Sequence, residues 1–374
     1  MRQWFSKFIR GKTFSVLFCI LGFFLILYLS MRLGALVGAF TALDLRPLFF
    51  VGLLVFFTYM LVYVNSRKPK KASWKLFNLC SVLFCFFPSI SICFLLFDMV
   101  AMAFDLGDNR LYLFPLLLAL AATGYGFLHA RRLRIKKYDV DLSATRSGKS
   151  LKVVLLSDIH AGSYVERKQL HRIVSATNQM DADLVILAGD TFDQDAFWRC
   201  DLRAVREELL GLRPKGQIYA VLGNHDPNSA HREIRDFFKE AGIELLVDVC
   251  AETEDFLLVG RDDVLGNPSR KTLSELVHGV SSPKPKLVID HNPAGIDEAV
   301  AEGAELILCG HSHKGQFFPA TLFTKMAYGK RGFYGYFQTE QTHSVVSSGA
   351  GYFQLPVRFG TNSEIVVIDV KLSK

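Results

Sequence analysis

Asp158-Ile-His160, Gly189-Asp190, Gly223-Asn224-His225-Asp226, His291 within Asp-His-Asn-Pro, and Gly310-His311-Ser312-His313 follow one another through the second half of the chain. Carboxylate, amide oxygen and imidazole are donors for a divalent cation, and a place that gathers them is a place for such an ion. Taken singly, Asp158 or Asp190 reads as a cap or turn former at a strand end, and a lone His291 before Asn-Pro reads as turn chemistry. Five such strings, each at the same position relative to an apolar run, outweigh those plainer readings.

The elements that must position these residues are visible upstream of each. Val153 to Leu156, Leu184 to Leu187, Ile218 to Leu222, Leu287 to Ile289 and Leu306 to Leu308 are short apolar, β-branched runs. Each reads as a buried strand that ends in a loop carrying the donor. Helical periodicity falls between them, over Glu166 to Met180, Leu202 to Leu212, Ser229 to Ala241 and Ala294 to Ala301. Tyr138 to Leu142 alternates as a short strand before a polar turn over Ser143 to Ser150, and after His313 the chain changes to strands, Ser344 to Ser347 and Ile365 to Leu372. Mixed β structure with helices outside two packed sheets is the economical architecture.

The first third differs in kind. Residues 1–137 carry 17 Lys and Arg against 4 Asp and Glu, which leaves 26 and 32 of the total 43 and 36 for residues 138–374. The overall +7 therefore divides into +13 and −6. Apolar runs at Thr13 to Ser30, Pro47 to Val64, Leu76 to Phe97 and Leu111 to Ala130 suit four membrane spans over residues 1–137. A signal peptide at Thr13 to Ser30 fits less well, because no small-residue cleavage site follows and three more runs come after it. Basic residues gather at the amino terminus, at 66–75 and at Arg131 to Lys137, whereas the intervening loops hold Arg32, Asp44, Arg46 and Asp98, Asp105, Asp108, Arg110. The positive-inside rule then makes this a multi-pass inner-membrane protein with both termini cytoplasmic and residues 138–374 on the cytoplasmic face. Seven dispersed cysteines agree with a reducing compartment.

The five strings, in this order, resemble the calcineurin-like metallophosphoesterase superfamily over about residues 150–372. Asp290-His-Asn-Pro293, Gly315-Gln316 and Leu355-Pro-Val-Arg358 resemble its bacterial, often membrane-attached YkuE/YaeI-type branch, from which the chain departs at Lys314 and at Ser347-Ser348. The resemblance implies a four-layer α/β/β/α sandwich and two divalent ions such as Mn, Fe or Zn. It implies that Asp158, His160, Asp190 and His313 hold one ion and Asp190, Asn224, His291 and His311 the other. A bridging carboxylate such as Asp190 keeps two ions roughly 3.5–4 Å apart, so that a shared hydroxide can attack phosphorus in line. His225 resembles the family histidine at the leaving oxygen, with Asp226 orienting its imidazole.

Other polar residues have plainer readings. Asp193, Asp262 and Asp263 read as supporting or capping residues, and His171, His231, His278 and His343 as surface or packing residues. The aromatic and basic run Phe317 to Phe337 reads first as a hairpin packing its own aromatics, since clustered aromatics are most often core, and as the alternative suits a bilayer interface or a lid over a lipid phosphate. The implied function is hydrolysis of a phosphodiester or pyrophosphate bond of an anionic substrate, lipid-linked on a membrane face, with UDP-2,3-diacylglucosamine-type hydrolysis as the named alternative. Nucleic acid fits poorly beside a −6 domain, which gains little from phosphate neutralisation. A sensor or scaffold without turnover is the non-enzymatic alternative, and it gives no chemical reason to keep the His225-Asp226 pair.

Overall fold

The computed structural model describes residues 12–64, 71–142, 149–162, 165–193, 196–228 and 230–372. The chain divides into two units, Met1–Leu128 with Gln354–Val357, and His129–Phe353 with Arg358–Lys374.

The first unit holds helices α1 (Lys12–Thr41), α2 (Arg46–Val64), α3 (Lys71–Ala103) and α4 (Leu113–Ala130). Ile26, Phe57, Ile90 and Phe94 pack among them, while Phe24, Leu83 and Leu117 are exposed, as helices immersed in lipid require. Val16–Thr41, Leu79–Ala103 and Asn109–Ala130 are long and apolar enough to cross a membrane. Over the second expected span, the described apolar stretch Arg46–Val62 is shorter than that. The four expected spans are thus four helices, three of which reach spanning length. Arg32 and Asp98, read from sequence as loop residues, lie inside α1 and α3. They are accommodated because they pair at 2.9 Å, because Tyr28 donates to Asp98 at 2.7 Å and because Tyr112 donates to Asp98 as well. Pairing of this kind is what lets ionisable groups sit in apolar helices. Arg2, Lys7, Arg10, Arg67, Lys68, Lys70 and most of the Ser143 to Ser150 turn lie outside the described residues.

The second unit starts earlier than alternation suggests. Strand β1 runs over Leu133–Asp141 and pairs in parallel with β12 (Ser363–Leu372) along its whole length. Arg134, Lys136 and Lys137 are therefore exposed residues of an edge strand, where charge also discourages further pairing. His129 and Ala130 already belong here, through contacts to the Thr361 carbonyl at 3.0 Å and from the Ser363 hydroxyl at 2.8 Å.

The remaining elements, in order, are β2 (Lys149–Leu156), α5 (Arg167–Asn178), β3 (Leu184–Ala188), α6 (Ala196–Arg199), α7 (Leu202–Leu209), β4 (Ile218–Val221), α8 (Arg232–Glu240), β5 (Glu244–Leu245), β6 (Val249–Glu252), β7 (Leu257–Gly260), α9 (Leu273–Val277), β8 (Lys286–Ile289), α10 (Ile296–Ala301), β9 (Leu306–Cys309), α11 (Ala320–Phe333), β10 (Gly335–Thr339) and β11 (Thr342–Val346). They form two six-stranded sheets, β1-β12-β2-β3-β4-β5 and β10-β11-β9-β8-β7-β6. Alternate residues of each strand face opposite layers. Val153, Leu155, Ile186, Leu258, Ile289, Leu308 and Val366 form the core between the sheets. Val154, Leu156, Val185 and Val367 pack outward on helix residues Leu170, Ile173, Leu209 and Phe238, and Val259, Val288 and Ile307 pack on Leu273, Ile296 and Ala299. Both faces of both sheets are buried, which explains apolar runs without polar alternation. The result is the α/β/β/α sandwich.

Helix α11 is the exception to expectation. The chain does not turn directly to strands after His313 but first builds this helix, which breaks at Gly329, where φ is +64°.

Candidate metal centre

β2, β3 and β4 run parallel in one sheet, and β7, β8 and β9 run parallel in the other. Their carboxyl ends therefore release Asp158, Asp190 and Asn224 along one sheet edge and His291 and His311 along the other. The two edges meet, since the His291 Nδ1–H donates to the Ala188 carbonyl at 2.8 Å. Asp158, His160, Asp190, His311 and His313 all adopt left-handed backbone conformations, φ between +46° and +69°. Such non-glycine residues cost about 1–3 kcal/mol each and gather where function requires them. Close approach of the loops depends on glycine: a Cβ on Gly223 would lie 2.2 Å from Asp190 Oδ1, and one on Gly310 2.4 Å from Asp158 Oδ2.

Two clusters result, Asp158 with His160 and His313, and Asp190 with His291 and His311, each able to hold a metal ion. In the first, His160 Nε2 faces His313 Nε2 at 3.1 Å, and His313 Nε2 lies 3.3 Å from Asp158 Oδ1. In the second, His291 Nε2 lies 3.3 Å from His311 Nδ1 and 3.2 Å from Asp190 Oδ2. The same Asp190 oxygen is 3.6 Å from His160 Nε2, so this carboxylate faces both clusters. Asn224 lies between Gly223 and His225, whose N–H donates to Asp190 Oδ1 at 2.8 Å, and its own Oδ1 is buried without a hydrogen-bond partner.

This donor set fits divalent metal ions on its own geometry. Nδ1 of His160 is 3.1 Å from the Asp193 carboxylate and Nδ1–H of His291 is used on a carbonyl, so their Nε2 lone pairs point into the clusters. Facing lone pairs repel unless a proton or a cation lies between them. Protons alone satisfy the clusters unevenly. Burial pushes the Asp158 carboxyl up, while for Asp190 burial is outweighed by His291 and His160, which hold it well below the usual range. His160 is held up at about 9 because Asp193 and Asp190 overcome burial, and His291 is likewise held well above its ordinary value, whereas burial and the neighbouring His160 push His313 well below.

Three of the four imidazoles have a close outer neighbour. Besides Asp193 on His160 and Ala188 on His291, the Tyr328 hydroxyl of α11 meets His311 Nε2 at 2.7 Å. Fully buried Arg358 donates to the backbone carbonyls of His313, Ser348 and Gly351 at 3.3, 2.7 and 2.8 Å, framing the loop behind His313. Asp290 takes both terminal nitrogens of buried Arg270, at 3.0 and 2.8 Å, and so anchors the His291 loop. Lys314, also left-handed at φ +51°, places its ammonium 4.3 Å from the Tyr334 ring. Asp262 and Asp263 act on the adjoining loop, accepting from Asn267 and from the backbone of Leu265 and Gly266.

His225 is half-buried beside the centre, its ring centroid 5.3 Å from that of His160, and burial pushes its pKa down. The expectation that Asp226 orients its ring is corrected. The two Asp226 oxygens accept the backbone N–H groups of Phe192 and Gly223, at 2.9 and 2.8 Å, so this carboxylate shapes the loop below the centre. Burial, with Asp190 nearby, pushes Asp226 up to about 7. The His225 ring is instead placed by Phe353, whose centroid lies 4.8 Å away and which also covers His160 and His313. Sequence reasoning overlooked Phe353, placed Tyr328 only within the aromatic run and Arg358 only within a family-like string, and tied none of them to a histidine of the centre. Arg358 offered a signal, a guanidinium in an otherwise apolar Leu-Pro-Val-Arg string, but Phe353, well beyond the last histidine string, offers none.

Comparison with known proteins agrees with this centre. Residues 151–315 match the calcineurin-like phosphoesterase family model. A transmembrane protein with metallophosphoesterase domain from Danio rerio is 31% identical over 71% of this chain and 64% of its own length. A metallophosphoesterase of Helicobacter pylori is 30% identical over 67% of this chain and 68% of its own, and the metallophosphoesterase YkuE of Bacillus subtilis is 28% identical over 67% and 91%. The chain thus spans just under two thirds of the zebrafish relative. With three helices of membrane-crossing length besides, it is a membrane protein that belongs to the calcineurin-like metallophosphoesterases.

Proposed function

We propose that this chain is a metal-dependent phosphoester hydrolase that acts at a membrane on a phosphodiester or pyrophosphate bond. The observation that carries the reading is Asp190, one buried carboxylate facing both imidazole clusters. Asp158, His160, Asp190 and His313 would hold one divalent ion and Asp190, Asn224, His291 and His311 the other. Such ions supply an acidified water and neutralise charge on phosphoryl oxygens. The neutral amide of Asn224 limits the negative charge that an anionic substrate meets. His225, half-buried beside the centre, would stabilise charge at the leaving oxygen through a ring N–H, while Phe353 fixes the plane of its ring and covers one face of it.

The basic clusters flanking the apolar helices support an inner-membrane, multi-pass arrangement with both termini cytoplasmic. A membrane setting favours a lipid-linked phosphate over a free one, which keeps nucleotide-linked diacyl sugar hydrolysis among the specific activities. Hydrolysis of bis(p-nitrophenyl) phosphate by the purified full-length chain, metal-stripped and then supplied with Mn²⁺, tests the reading. Turnover restored by metal supports it; bound metal without turnover on any phosphoester would make the chain a sensor or scaffold.

A further inference from the structure

Helix α11 has two differently built sides. Its inner side is tied to the centre: Tyr328 meets His311 Nε2 at 2.7 Å, and the Ser312 hydroxyl donates to the Phe333 carbonyl at 2.6 Å. Its outer side exposes Leu322, Phe323 and Met326, with relative exposures of 52%, 47% and 57%, and Phe318 just ahead of the helix is 58% exposed. Among the described residues from His129 onward, nine large apolar side chains are exposed, and these four fall within nine positions. Spacings of three and four residues put Leu322, Phe323 and Met326 on one helical face, with exposed Lys325 beside them. The aromatics that follow, Tyr334, Tyr336 and Phe337, are half-buried, so the reading of a segment packing its own rings holds for them and fails for this face.

We propose that the exposed face of α11 seats in the interfacial layer of a lipid bilayer, and that the centre accordingly takes a phosphate ester carried by a lipid. The second half rests on the hydrolase reading above; the first does not. Phenylalanine, leucine and methionine bordered by lysine is the composition of an interfacial helix. A bilayer is also always at hand, because the candidate span Asn109–Ala130 is followed after two residues by β1 of the second unit. A tether this short makes even a weak docking face effective, since the encounter is intramolecular in all but name. The link from Tyr328 to His311 then connects a face that feels the bilayer with a candidate ligand of the centre.

The test uses the full-length chain in nanodiscs of phosphatidylcholine and phosphatidylglycerol, with Trp4, Trp74 and Trp198 replaced by Phe and one reporter tryptophan at Met326. With acyl chains brominated near the headgroup, Met326→Trp emission should be blue-shifted and quenched, whereas Leu210→Trp, at another exposed apolar position, should be neither. Water-like, unquenched emission from position 326 overturns the proposal, and blue-shifted but unquenched emission overturns it in favour of a protein cover. A second arm compares a lipid-borne nitrophenyl phosphodiester with soluble bis(p-nitrophenyl) phosphate in proteoliposomes. The Leu322→Glu, Met326→Glu double variant should lower the ratio of the two rates by roughly tenfold or more, since two apolar anchors become anions. An equal fall on both substrates shows that the face acts on the centre itself and overturns the lipid-substrate half. Absence of turnover in the parent chain defeats the hydrolase reading, while the quenching result still decides the docking.

Discussion

Asp190→Asn is the substitution from which the two-ion reading has most to lose. The side chain is 1% exposed, its Oδ2 lies 3.2 Å from His291 Nε2 and 3.6 Å from His160 Nε2, and its Oδ1 accepts the His225 N–H. Asparagine keeps the size and, through its own Oδ1, the hydrogen bond from His225, so the change removes little but charge. At separations of this order, one unit charge acting on another across an effective dielectric of about 20 is worth on the order of 5 kcal/mol. For a divalent ion that is a lower figure, and it converts to a loss of at least about 10³-fold in affinity. Because the carboxylate faces both clusters, both ions should be lost together. Metal content by inductively coupled plasma mass spectrometry after gel filtration, with calorimetric titration of the stripped protein, reads this directly. Two ions per chain retained at parental affinity would refute the shared-ligand scheme; loss of one alone would confine Asp190 to a single cluster.

His225→Ala should keep both ions yet lower turnover about 10²–10⁴-fold on an ester with a poor leaving group, and less on a p-nitrophenyl ester, as expected of a group that stabilises charge on the leaving oxygen; equal losses on the two would remove it from that role. Arg270→Ala leaves the fully buried Asp290 carboxylate unpaired, which should cost about 3–5 kcal/mol. For a unit of this size that corresponds to a melting temperature lower by roughly 6–20 °C, measured by differential scanning fluorimetry, and an unchanged melt would show that the pair anchors nothing. Alkaline phosphatase fused after Lys374 should be inactive and green fluorescent protein fused there fluorescent, as the proposed cytoplasmic carboxyl terminus requires; the reverse pattern would invert the topology.

The sandwich was legible in the sequence because its strands are buried on both faces, and such strands advertise themselves as unbroken runs such as Val153 to Leu156. The candidate ligands were legible for a related reason: the first ligand of each string follows its run by two or three residues, a distance set by the local chain. What escaped was set by distant partners. Arg32 and Asp98 read as loop residues because a charge argues against an apolar helix, and only their mutual pairing, 66 positions apart, reverses that argument. Strand β1 begins at Leu133 because β12 offers it an edge, which no local alternation announces. The pairing of Asp226 with backbone amides, rather than with His225, depends on where the Phe192 and Gly223 N–H groups point. Phe353 and Tyr328 are ordinary aromatics until folding brings them against His225 and His311.

The central claim, one carboxylate shared by two ions, is tested most directly by anomalous diffraction. Crystals of the full-length chain grown with Mn²⁺ and measured at the manganese edge should show two peaks, one against Asp158, His160 and His313, the other against Asn224, His291 and His311, with the Asp190 carboxylate touching both. A single peak, or two peaks with Asp190 reaching only one, would contradict it.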